Sequence, residues 1–97
     1  MSDRFGELKE ATAAGLLRGP GETSAELRQA CARGEAPEEL RALVEKIDRH
    51  AYEVTDADLA ALRAKYSEAQ LFEIIVAASF GAADRRLHAG LRALEQA

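Results

Sequence analysis

The stretch from Tyr66 to Leu94, YSEAQLFEIIVAASFGAADRRLHAGLRAL, restricts the fold more than any other part of this chain. Ser67 can cap a helix, and Gln70 stands three positions later, where the reciprocal partner of a capping box belongs. Tyr66 and Leu71 have the spacing of a hydrophobic staple around that cap. No proline interrupts the residues after the cap, and at 1.5 Å per residue the helix spans roughly 40 Å. Val76, Phe80, Ala83, Leu87, Leu91 and Leu94 recur at helical spacing along one stripe, with Leu71, Ile75, Ala78 and Ala82 forming a second beside it. From Leu71 to Ala83 the helix is apolar nearly all round, broken by Glu73, Ser79 and Gly81. Such a helix has to be covered on most sides.

The remainder of the chain is poorly supplied to cover it. Of the 97 residues 47% are hydrophobic, but many are alanine, with no Trp, three Phe and two Tyr. Alanine favours helix yet buries little area. Contacts between subunits are therefore expected to complete the core. The expected interface is Leu71, Ile75, Val76, Phe80, Ala83, Leu87, Leu91 and Leu94, in a homo-oligomer that is most simply a dimer.

A net charge of −4 and a pI near 5.2 argue against general nucleic-acid binding, which needs a basic face. The longest apolar run, Ile74 to Ala78, is far too short to span a membrane. Asp3 and Glu7 stand where a signal peptide would be basic and then apolar, so none is expected. A lone Cys31 excludes an intrachain disulfide framework and suits a reducing cytoplasm.

Taken in order, Ser2 or Asp3 can cap a first helix with Phe5, Leu8 and Leu16 or Leu17 buried, ended by Gly19-Pro20-Gly21. Thr23 and Glu26 have capping-box spacing and open a short helix with Leu27, Ala30 and Cys31 inward, which Gly34 can close. Pro37 suits the start of a third helix, whose buried side is Leu40, Leu43, Val44 and Ile47. Val54, Thr55, Asp58 and Leu59 supply staple, cap, third-position carboxylate and staple partner for a fourth, with Leu59 and Leu62 inward. No stretch alternates with period two. The expected fold is all-α, one domain of about five helices.

From Leu43 onward the sequence resembles the C-terminal half of the AhpD-like and carboxymuconolactone decarboxylase-like helical family. The resemblance is carried by VTDADLAALRAKYSEAQLFEIIVAA, from Val54 to Ala78, with Phe80, Arg85 and Arg86. It implies an all-helical subunit that assembles through its long helix into dimers, trimers or hexamers. Peroxidase members of that family carry a Cys-x-x-Cys pair with a following His and an upstream Glu. One cysteine cannot make that pair, and no residues match the family's decarboxylase positions. What the resemblance implies is a fold and a habit of assembly.

Few residues offer chemistry. Cys31 shares an apolar face with Leu27 and Ala30, where cysteine acts as a small hydrophobe, although a lowered pKa would make it a redox thiol. His50, followed by Tyr52 and Glu53, can titrate near neutral pH or simply neutralise a helix C-terminus. Asp84 and His88 are four apart, but two ligands make no metal site and the Glu-x-x-His spacing of helical di-metal sites is absent. Arg85, Arg86 and Arg92 form a local basic patch that Asp84 and Glu95 partly neutralise, with Asp84, Arg85 and Arg86 expected at the rim of the interface. Gly19-Pro20-Gly21 lacks the lysine and hydroxyl of a phosphate loop. No cofactor is indicated. The expected function is an assembly or accessory subunit that pairs with itself or docks on a larger protein. A thiol-dependent peroxidase through Cys31 is the alternative.

Overall fold

A computed structural model describes residues 15–17, 19–50 and 53–96. The expected first helix around Phe5 and Leu8 lies outside them, as does Tyr52. Among the described residues the chain is all-α, with no strand. Residues 15–17 are helical and precede α1 (Ala25–Ala32), α2 (Glu38–His50), α3 (Asp56–Ala60), a 3-10 turn (Leu62–Ala64) and α4 (Glu68–Gln96).

Local signals set most of the boundaries. At α4, Ser67 Oγ accepts from the Gln70 N–H at 3.1 Å while Gln70 Oε1 accepts from the Ser67 N–H at 2.8 Å, both halves of the capping box. A second box joins Thr55 and Asp58 ahead of α3. The end of α1 is a Schellman turn. Gly34 takes φ +77°, its N–H donates to the Cys31 carbonyl, and the Glu35 N–H donates to the Ala30 carbonyl. One boundary differs from expectation. The cap of α1 is Ser24, whose side chain accepts from the Leu27 N–H, and not Thr23. The Thr23 hydroxyl is engaged elsewhere, donating to Glu73 of α4 at 2.6 Å.

The core lies where α1, α2 and the N-terminal half of α4 meet. Leu40, Leu43, Val44 and Ile47 give α2 a continuous buried side. They pack with Cys31, Leu62, Leu71, Ile74 and Ala78, and Val54, Leu59 and Ile75 close the edge. Leu71, expected between subunits, thus belongs to the chain's own core at only 2% exposed, and Ile75 packs half-buried against it. The second stripe of α4 turns inward together with Ala77 and Gly81 beside it, and these two with Ala78 and Ala82 are small enough to let α1 approach closely. Nor is α4 covered on most sides: Phe72 is 68% exposed.

Lys46 of α2 ties α3 down, donating to both oxygens of Asp58 at 3.1 and 2.9 Å. Glu39 does the same for the turn before α4, accepting from Lys65 Nζ at 2.7 Å and the Tyr66 hydroxyl at 2.9 Å. The Lys65 hydrogen bond chiefly, then that of Glu39's own backbone N–H and of Tyr66, holds the Glu39 carboxyl down to about 2. Because the folded value is the lower one, what this contact contributes is complete above the ordinary carboxylate range and is lost as pH falls towards 2. A carboxyl-detected NMR titration should show Glu39 titrating well below the other surface glutamates. Lys65→Met should raise it towards the ordinary range while Tyr66 and the backbone N–H still hold it somewhat below, and a normal midpoint in the wild type would remove the contact.

Candidate functional site: the projecting half of the last helix

Halfway along α4 lies a node that joins three helices. An alanine methyl built at Gly81 would sit 1.9 Å from the Ala32 carbonyl oxygen, so only glycine lets the end of α1 rest on α4 there. One turn on, Arg85 Nη1 donates to that same carbonyl at 2.5 Å, and its Nη2 donates to Asp48 Oδ1 of α2 at 2.7 Å. Arg86 donates to the Asp48 backbone carbonyl. Helix C-termini leave carbonyls without intrahelical partners, and a cation nearby also suits the dipole. Arg85 and Arg86 therefore hold the ends of α1 and α2. Asp48 is kept acidic, its pKa lowered first by the Arg85 hydrogen bond and then by the charges of Arg85, Arg86 and Arg49, against a desolvation that opposes them. Asp84 Oδ2 lies 3.5 Å from His88 Nδ1, one turn apart.

Beyond Arg86 the surroundings change. Every described residue from 87 to 96 is exposed, so the last turns of α4 project from the body. Leu87 (40%), Leu91 (46%) and Leu94 (74%) stay open to solvent, and Ala83 continues their line. On a helix these leucines fall within roughly 60° of one another. The N-terminal part of the same stripe is partly covered. Leu16 shares a hollow with Phe72 and Val76, and Leu17 shares a groove of about 530 Å³ with Phe80 and Gly81. The eight residues expected at one interface thus divide into three groups. Leu71 is core, Ile75, Val76 and Phe80 are half-covered, and Ala83, Leu87, Leu91 and Leu94 form an open ridge. Of the expected rim, Arg85 and Arg86 bind their own chain.

The chemical candidates are placed less favourably. Cys31 is fully buried, and desolvation pushes its thiol up, which lowers the fraction present as nucleophilic thiolate. His50 and Glu53 share the wall of a groove of about 480 Å³ beside α2, with Lys46 and Asp58 opposite each other in an ion pair. Among the described residues no three His, Cys, Asp or Glu side chains gather where they could hold a metal ion. No described helix is long and apolar enough to cross a membrane.

Three side chains that brace α1 escaped the sequence. Arg28 is 4% exposed and donates to the Leu16 carbonyl at 2.9 Å and to the Gly19 carbonyl, while Gln29 reaches the Leu17 carbonyl at 3.2 Å. Glu73 accepts from the N–H groups of Glu22 and Thr23 at 2.7 and 2.9 Å, besides the Thr23 hydroxyl. Glu73 and Thr23 are 50 residues apart, beyond any local pattern. The one available signal was a carboxylate in an otherwise apolar run. Comparison with protein families, with curated proteins and with solved structures gives no match to this chain.

Proposed function

We propose that this chain is an interaction subunit of AhpD-like type, which associates with copies of itself through the projecting half of α4. The reading rests on one observation: Leu87, Leu91 and Leu94 line up, solvent-exposed, on turns of helix that no described part of the chain covers. The last turns of α4 continue a helix whose first half is anchored in the core, so their apolar side is presented to solvent already formed. Exposed leucines scattered singly would need no explanation, whereas leucines aligned along one helical face mark a contact surface. A cytoplasmic setting goes with the single cysteine. The thiol-dependent alternative would need peroxide to reach a sulfur that is fully buried.

Light scattering tests this at about 100 µM, well above a micromolar dissociation constant. The wild type should have at least twice the monomer mass. Leu91→Glu should return it to monomer with its helical content kept and with the melting temperature of the dilute wild type, because Leu91 contributes little to the folded subunit and only the association raises the melting temperature with concentration. A wild type that is monomeric at that concentration removes the proposal.

A further inference from the structure

We draw no further inference here: the strongest candidate, the exposed ridge of Leu87, Leu91 and Leu94 on the projecting end of α4, belongs to the site already described, and nothing in the structure shows what covers it.

Discussion

Gly81→Ala should cost about 3 kcal/mol of folding stability, while Gly90→Ala on the same helix should gain about 0.5–1 kcal/mol. In an unconstrained helix the substitution is favourable at both positions, since glycine carries the greater backbone entropy in the unfolded chain. The difference lies in what the new methyl meets. At Gly90 nothing stands within 4 Å, whereas at Gly81 the methyl would lie 1.9 Å from the Ala32 oxygen and 2.6 Å from its carbonyl carbon. Neither atom can step aside alone, because that carbonyl ends α1 and accepts from Arg85. To admit the methyl, α1 and α4 must separate, which loosens the packing of Ala77 and Ala78 and strains the Arg85 contacts. Denaturant unfolding of the two variants checks the pair. Equal gains at both positions would mean that α1 does not approach α4 at Gly81.

How much of this was legible depends on the range of each interaction. The boxes at Thr55 and Ser67, the turn at Gly34 and the buried side of α2 are written within five to eight residues, and all were readable. Thr23 and Ser24 show where local reading fails. Both are hydroxyl residues ahead of a helix, and Thr23 has the better-looking partner in Glu26. A carboxylate 50 residues away draws the Thr23 hydroxyl off, leaving Ser24 as the cap. The two stripes of α4 posed a similar problem. Helical spacing makes both apolar but cannot say which one its own chain will cover. Side-chain size decides, because Gly81 and its alanine neighbours allow close approach of a backbone and the leucines do not. Of the stripe expected at an intersubunit surface, the outer half is thereby the part that its own chain leaves open. The arginines have contacts that local spacing does not reveal. A patch on a helix face reads as a rim, yet Arg85 and Arg86 reach back to the exposed carbonyl ends of α1 and α2.

Glu73→Gln should lower stability by about 2 kcal/mol at neutral pH, and the deficit should vanish in acid. The carboxylate accepts from two backbone N–H groups and a hydroxyl, three donors on two oxygens. Glutamine has one oxygen, so its amide N–H₂ must turn towards at least one of those donors. Thr23 is 6% exposed, which leaves water little access to compensate. The pH dependence comes from the direction of the shift. The Glu73 pKa is lowered from 4.5, first by the Thr23 hydroxyl and then by the Glu22 N–H, with burial opposing. A carboxylate with a depressed folded pKa contributes fully above its unfolded value and loses that contribution as pH falls through the folded one. The wild-type and Glu73→Gln stabilities should therefore run parallel above about pH 5.5 and converge below about pH 4.5. A constant gap across that window would mean that Glu73 acts by shape and not by charge. Loss of the contact should also release residues 22 and 23 from α4, so their amides should exchange faster with solvent in the variant at about pH 7. Unchanged exchange there would remove Glu73 as the link between α4 and the start of α1.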